Sequence, residues 1–160
     1  MSRYDPYALL GPFDYTSDEM CGCDSVTTLL LQDSLKPNPL VCGTCFGEVL
    51  PEAIHLDPEL AWPISQWRSV YQALYQLWLD SGAYQSWAAA QLEDVGGQVN
   101  VVGRALADRL STPDRPCFYG WFVQHADAPP PSCPICQDGP MLPWPHRGAH
   151  HCPDCRLMIS

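Results

Sequence analysis

Eight of the nine cysteines occur in four close pairs, a spacing typical of metal ligands. The C-terminal four follow the pattern Cys-x2-Cys-x15-Cys-x2-Cys at Cys133, Cys136, Cys152 and Cys155. Two cysteines separated by two residues present both thiolates from one turn, and two such turns complete the tetrahedral shell that Zn²⁺ prefers. Disulfides or idle buried thiols are the alternatives. The spacing and a reducing compartment favour a closed structural zinc site.

A second zinc ion is predicted for the N-terminal four cysteines, Cys21, Cys23, Cys42 and Cys45. Only Gly22 separates the first two of these, and the backbone freedom of glycine lets both sulfurs reach one ion. His55, ten residues after Cys45, is the alternative fourth ligand if one cysteine of the first pair points away. The sequence therefore predicts two structural zinc ions per chain.

Cys117 is left over and is predicted to be a small buried hydrophobic residue. A catalytic pair with His125 is the alternative, but eight residues of extended strand would hold the two about 26 Å apart. The sequence also lacks the His-Glu-x-x-His, phosphate-loop and Gly-x-Ser-x-Gly motifs of common enzyme classes. We therefore predict no catalytic residues and a non-enzymatic protein.

The chain is poor in charge and strongly acidic. It has 160 residues, of which 46% are hydrophobic and 16% charged, and its formal net charge is −10. The hydrophobic content excludes a disordered chain. The scarcity of Lys and Arg argues against a general nucleic-acid binder, because such affinity comes mostly from cations that neutralise phosphates. No targeting segment or membrane-spanning apolar run is visible, so we expect a cytoplasmic protein.

Most of the negative charge lies in residues 1–60, where ten acidic residues face only Arg3 and Lys36. An acidic surface suits a partner with a basic surface, such as a bacterial toxin that is covered by its immunity protein or antitoxin. The alternative is a solvated acidic segment that only keeps the protein in solution. The candidate partner-binding residues are Asp14, Asp18, Glu19, Asp24 and Asp33.

The elements that must position these residues fall into three stretches. Residues 1–60 are an acidic, loop-rich segment with the N-terminal zinc knuckle. Residues 61–125 combine a helical core with an aromatic strand, and residues 126–160 form the C-terminal zinc ribbon. Apolar periodicity predicts helices over about 63–82, 84–93 and 100–110, the last with Asn100 as its N-cap. Aromatic and β-branched residues predict a strand over 116–125.

The predicted fold class is therefore α+β. About three helices form a small core between two zinc-knuckle modules, and the C-terminal module is a zinc ribbon with a β-hairpin. We expect the three stretches to form one compact unit.

Several segments resemble one known family in their order and spacing. They are Pro-Leu-Val-Cys-Gly-Thr-Cys-Phe-Gly-Glu-Val at 39–49, Pro-Cys-Phe-Tyr-Gly-Trp-Phe at 116–122, Cys-Pro-Ile-Cys at 133–136 and Cys-Pro-Asp-Cys-Arg-Leu at 152–157. Over roughly residues 38–160 the chain resembles an uncharacterised bacterial family of zinc-ribbon-containing proteins with a suggested role in nucleic-acid binding. The resemblance implies zinc binding. The chain departs from the family at 118–121, where the family's aromatic strand usually reads Tyr-Tyr-Tyr-Leu.

The alternative function is nucleic-acid or transcription-associated binding through the C-terminal ribbon. Trp144 would then stack on a base, and Arg147 and Arg156 would supply the positive charge. Two cations are few for such a surface, so binding to a protein remains the leading prediction.

Overall fold

A computed structural model describes residues 5–13, 18–33, 38–124 and 129–159. The strands are β1 (Leu29–Leu31), β2 (Leu40–Cys42), β3 (Cys117–Gly120), β4 (Leu142–Pro143), β5 (His150–Cys152) and β6 (Leu157–Ile159). The helices are the long α1 (Ala61–Asp80) and α3 (Gln98–Leu110) and the nine-residue α2 (Gln85–Glu93). The predicted combination of helices and strands is confirmed. Among the described residues, none of the helices has the length and apolar character needed to cross a membrane.

The six short strands form one mixed sheet in the order β2-β1-β3-β6-β5-β4. β3 pairs in parallel with β1 on one side and with β6 on the other, and the remaining pairs are antiparallel. Since β2 carries Cys42 and β5 carries Cys152, the sheet joins the two cysteine-rich ends of the chain through the central strand β3.

The helices cover one face of this sheet. Side chains at alternate strand positions, such as Leu29, Cys117 and Leu157, point towards the helices. They belong to one core with Trp67 and Tyr71 of α1. Burial of large apolar and aromatic side chains stabilises this layer by roughly 1.5–3 kcal/mol for each residue. The opposite face has its own smaller core, which is formed by Leu30, Val41, Phe46, Phe118, Trp144, Ala149 and Met158.

The contact between α3 and β3 depends on a glycine in the middle of the helix. A Cβ atom at Gly103 would lie 2.2 Å from Cε2 of Tyr119 and 2.7 Å from Nε1 of Trp67. The missing side chain therefore lets the Tyr119 ring pack directly against the helix backbone.

The prediction that Asn100 caps α3 is wrong. Gly97 holds the N-cap position, and Asn100 lies buried in the first turn. Its amide donates to the carbonyl oxygens of Leu92 and Asp94, at 2.8 Å each, and its side-chain oxygen accepts from the Tyr119 hydroxyl at 2.8 Å. The side chain thus ties the end of α2 to α3 and the sheet.

The aromatic strand is shorter than the predicted range 116–125. β3 ends at Gly120, and the chain then turns towards α2. The Trp121 indole donates to the backbone oxygen of Glu93 at 3.1 Å, and the backbone N–H of Gln124 donates to the Glu93 carboxylate at 2.8 Å. The backbone N–H of Trp121 still donates to the Met158 oxygen of β6 at 2.8 Å, and the chain leaves the sheet after this residue.

Candidate metal centres

Two segments of the chain that meet beside β2 carry the N-terminal cysteine group. The backbone N–H of Cys21 donates to the oxygen of Glu48 at 2.8 Å, and the N–H of Glu48 donates to the oxygen of Glu19 at 2.7 Å. A Cβ atom at Gly47 would lie 2.7 Å from the backbone of Cys21. Glycine is therefore required at position 47, since any side chain there would separate the Cys21 and Cys23 segment from the turn that holds Cys42 and Cys45.

The C-terminal group is built around β5 and β6. Cys152 ends β5, Cys155 lies in the turn before β6, and Cys133 and Cys136 lie in a turn that precedes β4. The Cys133 N–H donates to the oxygen of Gly139 at 3.1 Å and closes this turn. Each pair of cysteines is thus held by its own local hydrogen bonds, as two-cysteine metal knuckles require.

All three Cys-x-x-Cys turns share one backbone feature that the sequence did not reveal. The residue after the second cysteine, which is Phe46, Gln137 or Arg156, has a left-handed φ of 59°, 58° or 47°. This conformation is uncommon for residues other than glycine. It turns the chain sharply after each pair, so that both sulfurs of the pair stay on the same side.

The sulfur positions fit a metal ion in both groups. Within Cys21, Cys23, Cys42 and Cys45, and again within Cys133, Cys136, Cys152 and Cys155, the four Sγ atoms all lie within 4.8 Å of one another. With metal–sulfur bonds of about 2.3 Å, a regular tetrahedron has sulfur–sulfur edges of about 3.8 Å. The Cys136 and Cys152 Sγ atoms are 3.8 Å apart, far beyond the ~2.05 Å of a disulfide. All nine cysteines carry free thiols.

The pKa values of the cysteines differ within each group, because hydrogen bonds stabilise the ionised form of one thiol more than that of its neighbours. Burial opposes ionisation of Cys45, but the Gly47 N–H, at 3.4 Å from its sulfur, and the neighbouring thiols lower its pKa to about 7. Burial likewise opposes ionisation of Cys133, while the N–H groups of Cys136 and Ile135 lower its pKa. In Cys155, burial and then the hydrogen bonds with the other cysteines raise the pKa. A metal ion that binds four thiolates must therefore displace protons.

None of the described histidines joins either group. His55, the alternative ligand, is exposed and lies outside the N-terminal group, where Cys21 and Cys23 both take part. Cys117 also stays apart: it is fully buried, and burial raises the pKa of its thiol. His125, its alternative catalytic partner, lies outside the described residues.

The predicted partner-binding residues do not share one environment. Asp18, Glu19 and Asp24 are exposed and lie on both sides of the Cys21 and Cys23 pair, whereas Asp14 lies outside the described residues. The side chain of Asp33 is only 4% exposed, and its carboxylate accepts from Nε of Arg68 at 3.4 Å. Asp33 is therefore not part of the exposed acidic surface, and that expectation is corrected.

Trp144 links the two cysteine-rich ends of the chain. It is 8% exposed, and its indole N–H donates to the backbone oxygen of Gly43, between Cys42 and Cys45, at 2.9 Å. The ring contacts Phe118 and His151 edge to face, with centroid distances of 4.9 Å each. The sequence offered Trp144 for base stacking in the alternative function, because nothing local shows that its partner lies 101 residues away.

Comparisons of the chain with protein-family models, with curated proteins and with solved structures find no match.

Proposed function

We propose that this chain is a non-enzymatic, zinc-stabilised cytoplasmic protein that acts by binding a protein with a basic surface. The closest functional description is an immunity protein or antitoxin that covers a basic bacterial toxin. The observation that carries the proposal is the set of exposed carboxylates, Asp18, Glu19 and Asp24, fixed around the first cysteine group. Acidic side chains held on a rigid support favour fast and selective encounter with a basic protein.

Zinc is the metal that this proposal assigns to both groups. Four sulfur ligands in a tetrahedral arrangement are typical of zinc or iron–sulfur centres, and pairs of Cys-x-x-Cys turns are typical of structural zinc. The antiparallel pairs β4–β5 and β5–β6 beside Cys152 suit a zinc ribbon with a β-hairpin. Each Zn²⁺ with four thiolates would carry a formal charge of about −2, which strengthens the acidic character of the first knuckle.

A closed coordination shell supports a non-enzymatic role. A catalytic zinc ion keeps one position open for water or substrate, whereas four cysteines occupy every position of a tetrahedral site. The reduced thiols that the metal needs agree with a cytoplasmic location, because disulfides form readily in oxidising compartments.

Two of the three residues on which the nucleic-acid alternative depends, Trp144 and Arg156, are engaged within the chain, which favours the protein-binding proposal. Trp144 is buried against Gly43 and is not free to stack on a base. Arg156 forms an ion pair with Asp108, and Arg147 lies over the Phe46 ring at 5.1 Å from its centroid. Electrostatic nucleic-acid binding needs cations that reach phosphates.

The experiment that tests the proposal is charge reversal at the first knuckle. The protein is purified with its partner from cells that produce it naturally, with nuclease treatment, and the binding kinetics of the recovered partner are measured at low and high salt. Asp18→Lys combined with Glu19→Lys should slow association at low salt by about tenfold or more, because electrostatic steering raises on-rates by at least that factor. The dissociation rate should change less.

A matched control reverses two exposed acids at the other knuckle. Asp138 and Asp154 lie beside the C-terminal cysteines, and their reversal changes the net charge by the same amount. Equal slowing in both double variants would show a general charge effect, and unchanged kinetics in the first would overturn the acidic-surface proposal. A partner that disappears on nuclease treatment would favour the nucleic-acid alternative.

A further inference from the structure

The outer surface of α1 and α2 is almost without charge, in contrast to the rest of this acidic chain. Between Ala61 and Leu92 the sequence has only two charged residues, Arg68 and Asp80, which balance each other. The Arg68 side chain is 13% exposed and pairs with Asp33, and Asp80 accepts a hydrogen bond from Gln76. The charge of −10 therefore lies elsewhere on the molecule.

This uncharged surface carries large exposed hydrophobic side chains. Val70, Tyr84 and Trp87 are 55%, 62% and 52% exposed. Depletion of charge together with exposed Trp and Tyr is the composition of the centre of a protein–protein interface. We name this surface the helical face and define it by these three residues and the grooves beside them.

Two grooves run along the helical face. The larger, of about 440 Å³, lies where α1, α2 and α3 meet and is lined by Val70, Leu74, Val99 and Val102, with glutamine side chains at its border. The smaller, of about 350 Å³, is lined by Leu77, Tyr84 and Trp87. The face thus presents aromatic ridges beside apolar grooves, which is the relief that two identical surfaces need to interlock about a two-fold axis.

We infer that the helical face is the interface of a symmetric dimer and that its occupant is a second copy of this chain. The charge distribution favours a second copy of the chain as the binding partner of this face. Two copies of charge −10 repel each other, and the face with balanced charge is where they can meet with least repulsion. A neutral, apolar surface also matches its own copy better than it matches the basic partner proposed above.

The size of the surface agrees with a dimer. At about 200 Å² for each ring, the exposed fractions of Tyr84 and Trp87 amount to about 230 Å². Val70, the groove walls and the glutamines enlarge this patch. A standard interface buries about 800 Å² on each partner, so the two rings alone would supply more than a quarter of it.

Sedimentation velocity and light scattering on the zinc-loaded full chain, over about 1–100 µM, test the inference. We expect a species of twice the 17.8 kDa chain mass that dissociates on dilution. Val70→Glu should raise the dimer dissociation constant at least tenfold, since it places a charge at the centre of the contact. Trp87→Gln, on α2, should act in the same direction and serves if Val70→Glu fails to fold.

The matched control is Leu142→Glu, which introduces the same charge at an exposed apolar residue on β4. It should leave the dissociation constant unchanged, and all variants should keep the metal content of the original chain. Added salt should strengthen the dimer or leave it unaffected, because it screens the repulsion between copies. A monomer at every concentration, equal weakening by Leu142→Glu, or a dimer that dissociates in salt would overturn the inference. Binding to a basic partner should weaken in salt, so the two proposals can fail separately.

Discussion

Replacing Trp144 by phenylalanine should destabilise the protein by breaking a hydrogen bond between its two cysteine-rich ends. The substitution keeps an aromatic ring but removes the N–H that donates to the buried Gly43 oxygen at 2.9 Å. A buried acceptor without a donor costs about 1–3 kcal/mol. The smaller ring also gives up one or two buried carbon groups at about 0.8 kcal/mol each. The expected loss in the free energy of unfolding is therefore about 2–4 kcal/mol.

The assay is equilibrium urea unfolding of the zinc-loaded protein, followed by circular dichroism. Trp62→Phe is the matched control, because this tryptophan is exposed on α1 outside the helical face and its replacement should change stability by less than about 0.5 kcal/mol. A second measurement uses a competing chelator. Gly43 lies between Cys42 and Cys45, so loss of the hydrogen bond to its carbonyl oxygen should weaken zinc binding at the N-terminal centre. The expected loss of affinity is about tenfold or more, which is typical for residues that support metal ligands.

Unfolding of Trp144→Phe at the same urea concentration as the original protein would refute this prediction. A destabilisation equal to that of Trp62→Phe would also refute it, because the effect would then reflect ring size rather than the hydrogen bond to Gly43. Unchanged zinc affinity with reduced stability would leave the fold argument intact and contradict only the link to the metal centre.

Four further predictions concern Gly103, the pKa of Asp33, two of the cysteines, and the release of metal. Gly103→Ala should destabilise by about 1–3 kcal/mol, because the added Cβ meets the Tyr119 ring and outweighs the ~1 kcal/mol gain in helix propensity; urea unfolding checks this. Burial, only partly offset by Arg68, raises the pKa of Asp33 to about 6 from 3.8, so a carboxyl NMR titration should show its midpoint near pH 6 and not below 4.5. Because the folded form then holds this proton more tightly than the unfolded form, its stability contribution is complete below about pH 4 and is lost as the pH rises through 6. Cys117→Ser should leave the zinc count unchanged by elemental analysis, whereas Cys133→Ser should remove one zinc ion and several kcal/mol of stability. Acid or a strong chelator should release the metal as the thiolates are protonated or outcompeted, which a zinc-sensitive dye would report.

The cysteine groups were predictable because their information is local. A turn of four residues fixes the distance between two sulfurs, so the spacings around Cys42 and Cys133 already indicated metal knuckles, and the fold brings all eight sulfurs into two groups. Helix periodicity is local as well, and α1 lies close to its predicted range.

Contacts between distant residues were not predictable from patterns of this kind. The Trp144 indole reaches Gly43 across 101 residues, and Asp33 meets Arg68 across 35. Asp33 was expected on the acidic surface, and Trp144 was considered for base stacking only in the alternative function; both are buried by elements far away in sequence. The predicted length of β3 was wrong for a similar reason, since the Trp121 side chain and the Gln124 backbone bond to Glu93 on α2.

Each chain should hold two separate zinc centres made only of cysteine thiolates. Elemental analysis of the full chain, purified from cells without added metal, is the decisive test. We expect two zinc ions per chain, and one after Cys45→Ser or after Cys133→Ser. A count of one or none in the original chain, or a different metal in either centre, would contradict it.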